Sequence, residues 1–234
     1  MLQRGRVTAF RGLSLQTGGD LVFQDAIIDS RGDSFLKADG DIIIERLADS
    51  KRDSLAKMCF EKDVFIQSGE NIIARSAGNG VDRHDLMLSI GGSVRAVSEK
   101  VTVFEGVNMS VAEFAQFDVG GDLNVDALGL TDDYKVSDWN IGDGLSVKAG
   151  GDFNSEAMTL KREDSGQLDI GGSFELKSLS IASLTVQNHV FYNTQQSFLS
   201  HQVSMFHVGG SLSLKAGQDA ILDGAQLTTG DDLY

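Results

Sequence analysis

The chain has no proline, one cysteine, four histidines and no apolar run long enough to cross a membrane. Each shortage excludes something. A single cysteine, Cys59 in KMCFEK, cannot close an internal disulfide, leaves the redox compartment undetermined, and is expected to pack as a small hydrophobe. His84 has no partner at ligand spacing, and His201 with His207 lacks a third ligand, so no metal site is expected. The 20 basic residues are outnumbered by 34 acidic ones, for a net charge of −14 without a basic cluster, which argues against nucleic acid or an anionic membrane as partner. No membrane insertion is expected, and the opening MLQRGRVTAF has no apolar core suited to a signal peptide. The missing proline fits stacked strands, which have neighbours on both sides and need nearly every amide as a donor.

What is present is repetition. Gln24 to Asp29 reads QDAIID and Gln218 to Asp223 reads QDAILD, each after a Gly-Gly-polar-Leu turn and before a Gly-Asp turn. The same punctuation recurs as SGENI at Ser68, GGSV at Gly91, GGDL at Gly120, GDGL at Gly142, GGDF at Gly150 and GGSF at Gly171. Intervals of 21 or 22 residues separate Leu21 from Ile42, Ile72 from Val94, Leu123 from Leu145 and Phe153 from Phe174, and a step of 8 recurs from Val64 to Ile72, Leu145 to Phe153 and Leu212 to Ala220. Fixed periods of this length mark a solenoid. Apolar and polar residues alternate within each period, as in Leu212-Ser213-Leu214, which is the strand period of two.

Strands broken every few residues leave no room for helical crossovers. A chain that turns three times and returns after about 21 residues stacks each circuit on the last, about 4.8 Å away. The expected fold is therefore all-β, a parallel β-helix solenoid with about 21 residues per circuit, roughly 11 circuits and a length near 50 Å. Residues 1–234 read as one repeat domain. Leu21, Ile42, Ile72, Val94, Leu123, Leu145, Phe153, Phe174, Leu212 and Ala220 are its expected inward positions.

Ala216-Gly217-Gln218-Asp219, Gly224-Ala225-Gln226-Leu227 and Gly230-Asp231-Asp232-Leu233 closely resemble the repeats of the filamentous haemagglutinin family. Degenerate copies at Gly18 to Asp29 and Gly120 to Asp152 extend the resemblance. It implies a right-handed parallel β-helix, part of a long bacterial exoprotein exported by two-partner secretion to the medium or cell surface. Adhesion, or contact-dependent delivery of a toxin to neighbouring cells, would be its role. Because the last residues stop on what reads as an opening strand without a cap, flanking repeats of the same exoprotein are the first expected partner, and a host or target-cell receptor the second.

Two stretches depart from the repeat. Residues 45–63 place Leu47, Lys51, Leu55 and Cys59 at helical spacing, but two strands, Arg46 to Ala48 and Leu55 to Phe60, keep the period and are preferred. Residues 179–208 lack glycine punctuation and read as longer strands, projecting as a hairpin or widening a circuit; Phe191 and Tyr192 there are a candidate contact surface. A candidate cell-attachment turn is Arg31-Gly32-Asp33. Asp29 to Ile42 is 13 residues where Asp223 to Leu233 is 10, so this corner is expected to bulge.

The rival class is a β-helix polysaccharide-degrading enzyme, lyase or hydrolase. Its acid-base chemistry needs carboxylates held at a fixed separation. The only paired aspartates, Asp132-Asp133 and Asp231-Asp232, have no Gly-His-Gly or Arg-x-Lys element beside them. Asp20, Asp41, Asp122, Asp143 and Asp152 fall at repeat corners, where Asp serves turns. One degenerate GNGVD at Gly78 is not a calcium array, and each Gly-Gly leads into a strand, not a helix that would hold phosphate. No catalytic residue, cofactor or metal is assigned.

Overall fold

The computed structural model describes residues 1–47, 56–78, 83–84, 86–127, 137–162, 164–189, 192–202 and 204–234. Among them there is no helix. Three parallel sheets, of nine, nine and eight strands, are formed by strands that follow one another in rotation, so that neighbours within a sheet come from successive circuits. We call them face 1 (Leu21–Gln24 and its partners), face 2 (Ile27–Ser30 and its partners) and face 3 (Ser34–Ala38 and its partners). This is a parallel β-helix.

Alternation along each strand decides which residues fill it. Leu36, Ile66, Ala96, Phe117, Val147 and Leu168 stand in register on successive circuits of face 3, and all are buried. Ile42, Ile72, Thr102, Leu123, Phe153 and Phe174 do the same on face 1. Where the rungs are aromatic they pack ring on ring: Trp139 lies 5.3 Å from Phe117 and meets Phe104 edge-on at 4.9 Å, and Phe153 stacks on Phe174 at 5.1 Å. Such pairs add about 0.5–1.5 kcal/mol each beyond the area they bury.

Of the expected inward positions, eight are buried. Leu21 is half-buried and Ala220 exposed. Ala220 belongs to the terminal described strand of face 1, which is paired on one side only, with Phe174–Lys177. Cys59 also departs from expectation: it is half-buried on the outer side of face 2, in register with Asp29 and Ser89.

The circuit is not uniform. In-register partners on face 1 are 21 residues apart from Leu21 to Ile42, Thr102 to Leu123 and Phe153 to Phe174. They are 30 apart from Ile42 to Ile72, Ile72 to Thr102 and Leu123 to Phe153, and 46 apart from Phe174 to Ala220. The stack therefore has nine levels rather than 11, for a height of about 38 Å. The intervals of 22 from Ile72 to Val94 and Leu123 to Leu145 join face 1 to face 3, not one circuit to the next. The step of 8 is the passage from face 3 to face 1, as from Val64 to Ile72.

Corner aspartates hold successive levels together. Asp20 Oδ1 accepts from the Asp41 N–H, Asp41 Oδ1 from Asn71, Asp122 Oδ1 from Asp152 and Asp152 Oδ1 from Ser173, at 2.7–3.0 Å. Each carboxylate thus caps the next circuit's corner instead of its own.

Candidate functional site at the insertion-bearing corner

Two of the three corners never change length. Counted by ladder register, three residues connect face 2 to face 3 in each circuit, as at 31–33, 61–63 and 91–93, and three connect face 3 to face 1, as at 39–41 and 150–152. All variation falls at the corner from face 1 to face 2. There, counted in the same way, a single residue suffices in five circuits: Arg4, Asp25, Gly106, Ala157 and Gly224, each with φ between 48° and 64°, the next residue (Ala26, for example) standing level with the first of face 2 on other circuits. A tight reversal needs that left-handed backbone, which glycine and aspartate tolerate best. In the other four circuits residues 46–55, 76–85, 127–136 and 178–203 enter at the same place. These circuits are the third, fourth, sixth and eighth levels, so the insertions share one edge.

Buried serines close the necks of three of them. Ser76 Oγ accepts from the Leu86 N–H at 2.9 Å and donates to the Gly106 carbonyl. Ser137 Oγ donates to the Asp126 carbonyl at 2.8 Å and accepts from Val107 N–H at 3.2 Å. Ser204 Oγ donates to the Lys177 carbonyl at 2.6 Å and accepts from Met158 N–H at 3.1 Å. One hydroxyl joins both ends of the insertion and ties it to an adjacent level. The core stack is unbroken below.

Of the insertions, two carry described structure of their own. Ala77–Gly78 pairs antiparallel with Arg83–His84. Leu179–His189 pairs with Tyr192–Gln202 over eleven rungs, an antiparallel hairpin with about 35 Å of ladder. The hairpin reading of residues 179–208 thus holds, and Met205–Val208 rejoins face 2. Residues 179–203 contain no Asp, Glu, Lys or Arg, in a chain that is 23% charged. Tyr192 is placed at the hairpin's turn end, and Phe191 lies outside the described residues. In residues 45–63, Glu45 ends one strand and Ala56–Phe60 is another, Arg46 and Leu47 are in no strand, and 48–55 lie outside the described residues, as do Asp132 and Asp133.

Beside this edge, the last outward position of face 1 forms a column of charge: Arg75, Glu105, Asp126, Glu156 and Lys177 on successive levels. Arg75 pairs with Glu105 at 3.4 Å, and Lys177 with Glu175. The Asp126 carboxyl between them is pushed up from 3.8 to about 6, first by burial and then by the charges of Glu156 and Glu105, against a backbone hydrogen bond from Glu156 that lowers it. The folded chain therefore holds this proton more tightly than the unfolded chain. Below pH 3.8 both states are protonated and nothing is lost; above about 6 both are ionised and the fold bears the full cost. Asp126→Asn should accordingly stabilise the protein at pH 8 by about 1 kcal/mol, less than the shift at face value because water screens a part-exposed group. Urea titrations should show that gain fading from pH 6 to pH 4; a gain that grows on acidification would contradict the assignment.

Arg31, Gly32 and Asp33 form a face 2 to face 3 corner of the standard three residues, so the expected extra length is absent. The comparison behind it paired unlike faces, since Ile27–Ser30 is on face 2 and Ala220–Asp223 on face 1. Arg31 and Asp33 are both exposed, Arg31 lying 5.1 Å over the Phe10 ring and 3.9 Å from Glu61, and Gly32 sits against the Arg11 carbonyl, where a Cβ would be 1.9 Å away. The turn is seated in the stack. Among the described residues no group of three or more His, Cys, Asp or Glu side chains is arranged to hold a metal ion. The carboxylates are spread over separate sides, Asp33 and Asp63 by face 3 and the Glu105 column on face 1.

Residues 131–233 match the family model described as hemagglutinin repeat. That stretch is a hemagglutinin repeat segment. Its ladders continue without a break of register into the preceding residues, Leu123 pairing with Phe153 and Asn108 with Asp138, so the same parallel stack runs on through the first half of the chain. No curated protein and no solved structure matches the chain. The repeat family is structural and adhesin-type rather than enzymatic.

Proposed function

We propose that this chain is a stalk segment of a large secreted bacterial surface exoprotein, exported by two-partner secretion, and that it displays its insertions along one edge for adhesion or for toxin delivery to neighbouring cells. The observation that carries this reading is the confinement of all length variation to the face 1 to face 2 corner while the other two corners stay at three residues. A rod that tolerates 10 or 26 residues in place of one, always on the same side, separates a load-bearing stack from a variable display edge. Loops positioned by a rigid scaffold are where binding surfaces concentrate. The 46-residue circuit, with its uncharged hairpin, is the strongest candidate for contact with a receptor.

The design of the corner supplies the test. Removing 179–203 and replacing Ser178 by Gly restores the 21-residue circuit seen at Gly106, so the stack should form unchanged. Bacteria producing the full exoprotein with this deletion should still show an epitope placed in the 61–63 corner to antibody on intact cells, while attachment to target cells falls by about tenfold. An epitope reached only after lysis would overturn the surface assignment. Undiminished attachment would remove the hairpin from the contact.

A further inference from the structure

The outer side of face 3 carries a groove that the stalk reading does not use. Two cavities, of about 460 and 450 Å³, lie along it and share Phe114 as a wall. Phe114 opens the face 3 strand Phe114–Val119 with 40% of its surface exposed, and its ring lies over its ladder partner Gly144, where a Cβ would come within 2.1 Å of it. Glycine at 144 thus makes the bed in which this ring lies. On one side of Phe114 the groove runs between the corner residues Asp33 and Asp63 and the outward column of Phe65, Arg95 and Gln116. On the other it is lined by Ser146, Ser165, Gln167, Ser211 and Ser213, and ends at Tyr234.

The chemistry of these walls narrows the occupant. Along the groove the face 3 strands from Ser34–Ala38 to Gly166–Ile170 are paired on both sides, and at its far end Leu212 and Leu214 of the terminal strand are already bonded to residues 232–234, so the groove floor offers no unpaired ladder to a peptide strand. What remains on offer is side-chain hydroxyls, amides and carboxylates, repeated at the spacing of the levels beside aromatic rings. The one guanidinium in the groove is already engaged, Arg95 pairing with Asp118 at 3.0 Å and lying 5.7 Å over the Phe65 ring. With Asp33 and Asp63 at the wall and a net charge of −14, an anionic ligand is repelled. A ligand that has many hydroxyls, an apolar ring face, no negative charge and a linear repeat satisfies all of these conditions. We propose that this groove binds a linear uncharged oligosaccharide, one ring of which packs on Phe114 while its hydroxyls bond to the flanking carboxylates, amides and serines.

The test is calorimetric titration of the purified chain with cellohexaose, maltohexaose and chitohexaose, and with a heparin hexasaccharide as the anionic counterpart. At least one neutral hexasaccharide should bind, Phe114→Ala should weaken it by about tenfold, and Phe10→Ala, which removes another exposed aromatic outside the groove, should not. Ser146→Arg fills the groove at an outward position as well as replacing one of its serines, and should also abolish binding; it keeps the question answerable if Phe114→Ala folds poorly. The 179–203 deletion should leave binding intact, which separates this site from the display edge. Failure of all three neutral sugars to bind, binding of the heparin fragment alone, or unchanged binding in both groove variants would overturn the proposal.

Discussion

Leu123→Asp should lower the unfolding free energy by at least ~3 kcal/mol, because it puts an unpaired carboxylate where no water and no partner is available. Leu123 is fully buried on face 1, with Thr102 on the level before it and Phe153 on the level after. The neighbouring residue supplies the control. Asn124 faces outward on the same strand, and its Oδ1 accepts from Asn154 Nδ2 at 3.0 Å. Asn124→Asp keeps that acceptor in place and should change stability by less than about 0.5 kcal/mol, as surface substitutions generally do. The two variants add the same carboxylate one residue apart, so their difference measures the period-two alternation directly. Urea unfolding followed by circular dichroism, with a β-rich starting spectrum, makes the comparison. Equal effects at 123 and 124 would mean that the inward and outward faces are misassigned.

How far the fold could be read from the chain depended on which signal was used. Alternation and the step of 8 were reliable because the passage from face 3 to face 1 never changes length, as at Val64 to Ile72 and Leu145 to Phe153. The circuit length was harder to read. The word Gly-Gly-polar-apolar closes two different corners: Gly91-Gly92-Ser93-Val94 leads from face 2 to face 3, whereas Gly120-Gly121-Asp122-Leu123 leads from face 3 to face 1. Both corners need close backbone approach, since a Cβ at Gly91 would lie 2.7 Å from the Glu61 carbonyl oxygen and one at Gly120 only 2.1 Å from that of Glu99. Identical local demands write identical words, so spacings near 21 arose between unlike corners and hid the 30-residue circuits.

The display edge was legible only as disturbance. The stretch 179–208 stood out because glycine punctuation stopped there, and the hairpin followed from its alternation. Nothing local marked the one-residue corners at Arg4, Asp25 and Ala157, where left-handed backbone is adopted by residues other than glycine. Asp25 does so while its Oδ1 accepts from the Leu47 N–H at 2.9 Å, a partner 22 residues away that no local pattern announces. The groove on face 3 was illegible for a similar reason. Phe65, Arg95 and Phe114 come from three circuits of unequal length, and only the register of the stack brings them together.

Arg162→Leu should stabilise the protein, by about 2 kcal/mol, against the usual cost of altering a buried residue. Arg162 stands at an inward position of face 2, 2% exposed, in register with Ile141 on one level and Val208 on the other. Its Nη2 donates to the Asp143 carbonyl at 2.6 Å, but Nε and Nη1 have no hydrogen-bond partner. Burial pulls the guanidinium pKa down, and the charges of Asp164 and Asp143 only partly oppose it. Gly166 marks the accommodation: its ladder otherwise holds Leu13, Ser34, Val64, Val94, Ala115, Leu145 and Leu212, all with side chains, and a Cβ at 166 would lie 3.3 Å from Nη1. A leucine at 162 extends the apolar ladder and removes two unpaired donors with their charge. The carbonyl it abandons belongs to Asp143, an exposed corner residue that water reaches. For a chain of this length the gain corresponds to a rise in Tm of about 4–8 °C. A fall in Tm instead would show that the guanidinium clamps the Asp143 corner by more than it loses through burial.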